Sequence, residues 1–387
     1  MLNVECSWDE AFKISTNSFE RLDTEQILIN NSNNRILASS VSSLCDLPAY
    51  ETAAMDGWVV NGKSPWKKVG EINIGTLSNT VLKNSECLKI STGSVIPKGG
   101  EAVIPWEKVT EKADYVEGEI ALRANCRPKG EECKTGDLIL LKGTKINPPT
   151  IGLLAATGHD KIDVIKKPKI GIFFLGDELS HAGVPSGGVI RDALGVQLPA
   201  LLEMYGANVL VAKFVKDDLA ILINDLKSSL SELDMIITTG GTADGPKDFV
   251  KPAIDALNGE YLIDRVRVRP AYHVILAKIN NKIPFLALPG NPQSAIAAIT
   301  SFGRPIVNSL LGTTTPEPLE ITIKHEVKTP ENFAKLIPGN LENNEFYKAD
   351  YLGSAMLRGL AGSKGFALIN PGLNAAGAKA RWLSLPY

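Results

Sequence analysis

The segment Thr238-Thr239-Gly240-Gly241-Thr242-Ala243-Asp244-Gly245-Pro246-Lys247-Asp248 follows the apolar run Met235-Ile236-Ile237 and leads into a helix-like stretch from Phe249 to Leu257. Glycines let a backbone approach an anionic ligand, and a helix N-terminus favours negative charge. Two carboxylates in the same turn repel phosphate unless a divalent cation lies between them. The pattern suggests a phosphate-bearing ligand with a hard metal such as Mg²⁺. A tight structural turn is the competing reading. Four other segments carry polar residues on turns. Asp56 sits in an Asp-Gly turn within Thr52-Ala53-Ala54-Met55-Asp56-Gly57-Trp58, and Thr92 opens the loop Thr92-Gly93-Ser94-Val95-Ile96-Pro97. Leu175-Gly176-Asp177-Glu178-Leu179 puts two acids after a buried run, and Leu288-Pro289-Gly290-Asn291-Pro292-Gln293-Ser294 is a rigid turn whose N–H groups could face an anion.

Such turns bind ligands when they lie at the carboxyl ends of parallel strands. From Lys169 onward the apolar runs supply those strands. Ile170–Leu175, Asn208–Val215, Met235–Thr239 and Ile283–Leu288 read as strands. Val196–Tyr205, Leu219–Leu230, Phe249–Leu257 and Ser294–Leu311 read as helices between or after them. The alternation predicts a three-layer α/β domain. Residues 58–125 read as short strands with turns, at Trp58–Val60, Lys67–Ile74, Glu86–Ile90, Ala102–Pro105 and Tyr115–Leu122. Residues 138–165 alternate loop and helix, with Asn147-Pro148-Pro149 opening a helix. Near the start, Trp8, Ala11, Phe12 and Phe19 lie at helical spacing behind a Ser7/Glu10 capping box, with Ser15 interrupting the stripe. The expected class is α/β plus β. The domains are 1–45 with 136–166 (a discontinuous N-terminal linker and helical domain), 46–135 (a β-rich insert), 167–314 (α/β) and 315–387 (a small β-barrel-like domain).

At 387 residues the chain exceeds one ordinary domain. Its net charge of −2 gives no argument for nucleic-acid or membrane binding. No apolar run reaches membrane-spanning length, and the first residues lack the apolar core of a signal peptide. The five cysteines, Cys6, Cys45, Cys87, Cys126 and Cys133, contain no CxxC pair, so a reducing cytoplasm is expected. The histidines His159, His181, His273 and His325 are unclustered and read as ordinary solvated or core residues.

The ordered series Asp46-Leu47-Pro48, Ala54-Met55-Asp56-Gly57, Thr92-Gly93 with Pro97, Gly176-Asp177-Glu178-Leu179, Thr239-Gly240-Gly241 and Leu288-Pro289-Gly290-Asn291-Pro292 resembles the molybdopterin molybdenumtransferase family, which includes the C-terminal part of gephyrin-like proteins. Gly353-Ser354-Ala355-Met356 and Asn370-Pro371-Gly372 resemble its C-terminal landmarks. The resemblance implies a molybdopterin-binding α/β domain. It implies adenylylated molybdopterin and molybdate as substrates, with Mg²⁺-assisted AMP release. It also implies an elongated homodimer whose cleft lies between the α/β domain of one subunit and the β-rich insert of the other. Other cofactor-biosynthesis proteins and apo-molybdoenzymes would be further partners.

Carried over residue by residue, Asp56, Glu178 and Asp248 would be catalytic. Asp56, Glu132, Glu178, Asp217 and Asp248 would serve the metal, Glu132 standing in Gly130-Glu131-Glu132 where the family has Gly-Glu-Asp. Thr92, Asp192, Gly240, Gly241, Asp244, Arg269, Pro289, Asn291, Pro292 and Ser354 would contact the ligand. Asp56 and Asp248 could instead cap turns, and Asp217 beside Asp218 could be a solvated helix start.

Several positions depart from the family pattern. Asp192-Ala193-Leu194 lacks the usual polar pair after the aspartate, and Thr242-Ala243-Asp244-Gly245 replaces Val-Ser-x-Gly. Arg269-Pro270-Ala271-Tyr272-His273 replaces Lys-Pro-Gly-Lys-Pro, so one lysine of the oxyanion site becomes Tyr272. The family's C-terminal Gly-Arg gives way to Asn332-Phe333-Ala334-Lys335-Leu336. An active transferase is the leading reading. A non-catalytic carrier or scaffold for molybdopterin or its nucleotide is the alternative. A nucleotide hydrolase similar to the competence-damage proteins is disfavoured by the Met-Asp-Gly element and the C-terminal β domain.

Overall fold

Residues 5–387 are described by a computed structural model. They divide into two units, one of residues 26–164 and one of the residues up to 25 together with 165–387.

In the second unit one sheet dominates. Its strands are β1 (Lys169–Leu175), β2 (Asn208–Val215), β3 (Met235–Thr239), β4 (Glu260–Asp264), β5 (Ile275–Ile279) and β6 (Ile283–Leu288), in the order β2-β1-β3-β6-β5-β4. β2, β1, β3 and β6 run parallel, and β5 runs antiparallel to both β6 and β4. The carboxyl ends of β1, β2, β3, β4 and β6 therefore share one edge. β1 is buried from Ile170 and β3 throughout, as strands covered on both faces require. Helices α1 (Leu194–Met204), α2 (Leu219–Ser229) and α3 (Val250–Ala256) begin close to the expected positions. On one face Phe173, Ile236 and Phe285 pack with Leu222, Leu226 and Ile254. Burying each such side chain contributes roughly 1.5–3 kcal/mol.

Strands β4 and β5 were not anticipated. Their apolar stretches are short and interrupted by charge. The one available signal was Asn280-Asn281, whose φ angles of 52° and 55° turn β5 tightly into β6. The expected helix Ser294–Leu311 is one rod with a defect. Helix α4 (Pro292–Ala298) passes through a π turn at Ile299–Gly303 into α5 (Arg304–Leu311). Within it, Thr300 Oγ1 donates to the Ile296 carbonyl at 2.7 Å and competes with the backbone ladder.

The helix Trp8–Asn17 starts at the expected capping box, with the Glu10 N–H on Ser7 Oγ at 3.3 Å and the Ser7 N–H on Glu10 Oε2 at 2.7 Å. It belongs to the unit of the α/β sheet rather than to the unit that holds 26–45 and 136–164. Its Trp8 meets Phe302 of the π turn at a centroid distance of 6.3 Å, and its Asp9 pairs with Arg381. Beyond residue 318, the strands Leu319–Ile323, Ala334–Glu342, Glu345–Lys348, Gly365–Ile369 and Lys379–Ser384 close into a five-stranded barrel. Its interior holds Ile321, Ile337, Phe346, Ala367 and Trp382.

The unit of residues 26–164 holds a six-stranded sheet that includes Gly57–Val60, Trp66–Ile72, Glu86–Ile90, Ala102–Pro105 and Tyr115–Gly118, close to the expected β-rich insert. Val109–Glu111 is an added edge strand. Residues 138–165 are richer in strand than expected. Leu138–Leu140 pairs with Val41–Ser42, the helix is Pro148–Ala156 capped by Asn147, and Lys161–Ile165 is a strand.

Candidate active site

Five loops leave the shared strand edge of the α/β unit: 176–178 after β1, 216–218 after β2, 240–249 after β3, 265–274 after β4 and 289–291 after β6. Their glycines are required by geometry. Gly240 and Gly241 have φ of 81° and 63°, and a Cβ on Gly240 would lie 3.0 Å from the Leu175 carbonyl oxygen. A Cβ on Gly290 would lie 3.5 Å from the Gly240 Cα, so the β3 and β6 loops touch backbone to backbone. Pro289 is buried, whereas Asn291 is exposed at the start of α4.

The acids divide by environment. After β1 and β2, the Asp217 N–H donates to Asp177 Oδ1 at 3.3 Å. Glu178 lies back over Gly176, where a Cβ would come within 2.8 Å of its carboxylate. The Asp217 carboxyl is held above its usual range, first by burial and then by the negative charges of Asp177 and Glu178, with Lys247 opposing. Burial leads this shift, the like charges add to it, and the hydrogen bond to Asp177 works against it. The β3 loop differs. The Gly245 N–H donates to Asp248 Oδ2 at 2.6 Å, and the Asp248 N–H returns to the Gly245 carbonyl at 3.0 Å, so Asp248 closes its turn through one oxygen. Asp244 faces two cations, Lys251 Nζ at 3.2 Å and the Arg265 guanidinium. Lys251 also meets Asp264 at 2.9 Å. The Asp244 carboxyl is held below its usual range, chiefly by Lys251 and also by Arg265.

The loop joining β4 to β5 carries the altered Arg269–His273 segment. Its Val268–Arg269 pairs in parallel with Ala334–Lys335 of the barrel. The Arg269 guanidinium lies 5.1 Å from the Phe333 ring, and Tyr272 packs edge-on to Phe333 and His273 at 5.3 and 4.9 Å. The departures at Tyr272 and Phe333 thus complete one aromatic cluster. His273 Nδ1 is buried without a partner, and burial followed by the charge of Arg265 pulls the imidazole below its usual range.

Two of the expected ligand contacts also make local hydrogen bonds. Asp192 is buried and its oxygens accept the N–H groups of Leu194 at 3.1 Å and Gly195 at 2.9 Å. Both oxygens are committed to the start of α1, so the structure gives Asp192 a capping role. The N–H groups of Gln293 and Ser294 are also taken. Both donate to the Ser354 carbonyl, at 3.0 and 3.3 Å. Ser354 thus reaches the site region as a backbone cap of α4. Only Gly290 and Asn291 keep open N–H groups in that turn among the described residues.

In the unit of residues 26–164, Asp56 Oδ1 accepts the Thr92 N–H at 2.7 Å and its hydroxyl at 3.1 Å. The two motifs form one exposed feature, and among the described residues no donor meets Asp56 Oδ2. Glu132 is exposed on a loop that the Asp46-Leu47-Pro48 segment straps down. The Glu132 N–H donates to the Leu47 carbonyl at 2.9 Å, and Asp46 accepts from the Thr135 N–H at 2.8 Å. Thr135, followed by Lys129, pulls the Asp46 carboxyl down to about 2.

Among the described residues no three His, Cys, Asp or Glu side chains come together as a complete metal cage. Mg²⁺ is ordinarily held by one or two carboxylates plus substrate phosphates. Glu178 and Asp217, on the loops after the paired strands β1 and β2, are hard oxygen donors of that kind. Asp177, Lys251 and Asp264 receive no role from the sequence. Lys251 lies on the expected helix α3 and Asp264 on the unanticipated strand β4, while Arg265 just beyond takes φ of 75°, which no pattern announces for an arginine.

Fold and site define a multidomain protein whose α/β domain offers an anionic ligand a glycine-lined strand edge bordered by acids. Family models match two successive stretches of the chain. Residues 6–158 match "MoeA N-terminal region (domain I and II)" and residues 171–309 match "Probable molybdopterin binding domain". A molybdopterin molybdenumtransferase of Staphylococcus aureus (strain COL) is 29% identical over 343 residues, covering 85% of this chain and 82% of the relative. A Staphylococcus epidermidis protein of the same name is 28% identical over the same length. The crystal structure of the molybdopterin biosynthesis MoeA protein from Pyrococcus horikoshii superposes with a TM-score of 0.82 at 23% identity, covering 99% of both chains. The chain belongs to the molybdopterin molybdenumtransferase family, the MoeA-type enzymes of molybdenum cofactor biosynthesis.

Proposed function

We propose that this protein inserts molybdate into adenylylated molybdopterin and releases AMP with Mg²⁺. The observation that carries the reading is the placement of Asp177, Glu178 and Asp217 on adjacent loops at the strand edge, joined by the Asp217 N–H to Asp177 Oδ1, beside backbone that only glycine permits at Gly240. Mg²⁺, when bound there, would offset the charge of the phosphates and of the phosphoanhydride bond that breaks. Glu178 and Asp217 hold the cation side, with Asp177 fixing the Asp217 backbone. The N–H groups of Gly290 and Asn291 donate to the anionic phosphates, and Gly240 and Gly241 leave room for their approach. Asp248 uses one oxygen to hold its loop and keeps the other for the reacting groups, and Asp56, in the unit of residues 26–164, likewise holds a loop through one oxygen. Arg269 and Arg265 supply cationic donors for the oxyanion, where a family lysine has become Tyr272. Thr92 positions Asp56.

A homodimer and a reducing cytoplasm belong to the same reading, the latter supported by five free cysteines. No described helix is long and apolar enough to cross a membrane. A carrier without turnover is the second reading. One observation favours it: Tyr272 packs into the Phe333 and His273 rings and brings no charge to the oxyanion. Glu178→Gln and Asp217→Asn separate the two. A transferase loses AMP release while retaining the nucleotide, whereas a carrier has no AMP release to lose.

A further inference from the structure

We propose that Asp244 is a built-in stand-in for the oxyanion, occupying the cations that a tetrahedral dianion must take over. The inference rests on reading this strand edge as the phosphate and oxyanion site. It adds a competitor within the chain that sets the affinity for the dianion.

Asp244 stands on the β3 loop at the unspecified position of the family's Val-Ser-x-Gly pattern. Its carboxylate pairs with Arg265 and Lys251 from two other elements. The two cations are not held equally. Lys251 keeps Asp264 at 2.9 Å as a second acceptor, whereas Asp244 is the one carboxylate that pairs with Arg265 among the described residues. Arg265 Nε and His273 Nδ1 are both buried without partners, so the cluster has polar capacity that Asp244 leaves unused. The Asp244 side chain is 60% exposed against 30% for Arg265, so the acid sits on the solvent side and can leave while the guanidinium stays.

The charges of Asp244, Asp264, Lys251 and Arg265 cancel, so the cluster presents no net attraction to an incoming anion. When Asp244 swings out, Arg265 gains capacity for two or more oxygens of one ligand, a geometry suited to guanidinium. A tetrahedral dianion such as molybdate or tungstate has the charge and the oxygens to displace one carboxylate. A chloride ion does not.

The test is equilibrium binding of tungstate to the full-length protein and to its Asp244→Asn and Arg265→Gln variants by titration calorimetry, with circular dichroism as the folding check. The asparagine substitution keeps a hydrogen-bond acceptor on the loop while removing the charge. Asp244→Asn should bind tungstate about tenfold tighter, the equivalent of one charge-assisted hydrogen bond no longer contested. Arg265→Gln should lose binding, and the apparent KM for molybdate should fall in Asp244→Asn by a similar factor. Unchanged or weaker tungstate binding by a folded Asp244→Asn overturns the inference and makes Asp244 a loop clasp. Tungstate binding by Arg265→Gln at wild-type strength overturns it as well. A wild type that binds tungstate tightly but releases no AMP defeats the catalytic reading alone, because the binding comparison still decides the role of Asp244.

Discussion

Asp248 offers a clean separation of loop-holding from chemistry. One of its oxygens closes the 245–248 turn through the Gly245 N–H at 2.6 Å, and the proposed mechanism assigns the other to the reacting groups. Asp248→Asn keeps an acceptor for Gly245 and removes only the charge. Asp248→Ala removes both. A hydrogen bond to a charged group contributes about 1.5–3 kcal/mol, and partial exposure here reduces that to about 1 kcal/mol. The alanine variant should therefore melt roughly 2–4 °C below the asparagine variant. Losing a charge that acts in the transition state costs about 10²–10³ in rate, or about 2.7–4 kcal/mol. Both variants should lose AMP release to that extent, although only alanine disturbs the fold. The assay is single-turnover AMP release beside a melting curve for each protein. Wild-type AMP release by Asp248→Asn, with loss confined to alanine, would refute the reasoning and reduce Asp248 to a turn-closing residue.

Asp217 gives a pH test. Its carboxyl titrates above the usual range in the folded chain, so the folded form holds its proton longer and this contribution to stability declines as pH rises from the ordinary carboxylate range through the folded value. Without Mg²⁺, Asp217→Asn should raise the urea midpoint at neutral pH and flatten that decline. An unchanged profile would contradict the raised carboxyl. Gly240→Ala forces a left-handed alanine, costing about 1–2 kcal/mol. The Leu175 carbonyl at 3.0 Å adds to the cost. Gly152→Ala, on an exposed helix position where an added Cβ meets nothing within 4 Å, should instead stabilise by about 0.5–1 kcal/mol; chemical denaturation of both variants checks the opposite signs. Cys6 and Cys87 are buried, and burial pushes both thiols up to about 11. At pH 8 a thiol reagent should modify the half-buried Cys45 and Cys133 first and reach Cys6 and Cys87 only after unfolding, as mass spectrometry of modified peptides would read.

What the sequence made legible follows from how strongly each signal constrains local geometry. The parallel strands β1, β3 and β6 were readable because both faces are buried, which demands unbroken apolar runs such as Ile170–Leu175. The glycine turns were readable because Gly240 stands where no other residue fits. Strands β4 and β5 were not, since Glu260–Asp264 offers only the short run Tyr261-Leu262-Ile263 between two acids and gains its place by pairing with β5. The Asp244–Lys251–Asp264–Arg265 network joins three elements and was invisible for the same reason. Asp192 shows the converse. Its position in the motif suggested a ligand contact, but the carboxylate is committed to backbone N–H groups of Leu194 and Gly195, a geometry that residue type alone does not distinguish. Tyr272 was legible as a lost lysine. Its packing on Phe333 was not, because the two residues lie far apart in the chain and meet only when Val268–Arg269 pairs with the barrel.

The measurement that bears most directly on the central claim is AMP release by the purified protein from adenylylated molybdopterin with Mg²⁺, in the presence and absence of molybdate or tungstate. The expected result is AMP release that depends on both Mg²⁺ and the oxyanion and is lost in Glu178→Gln. Tight retention of the nucleotide with no AMP released under any of these conditions would contradict the transferase reading and leave the protein as a carrier.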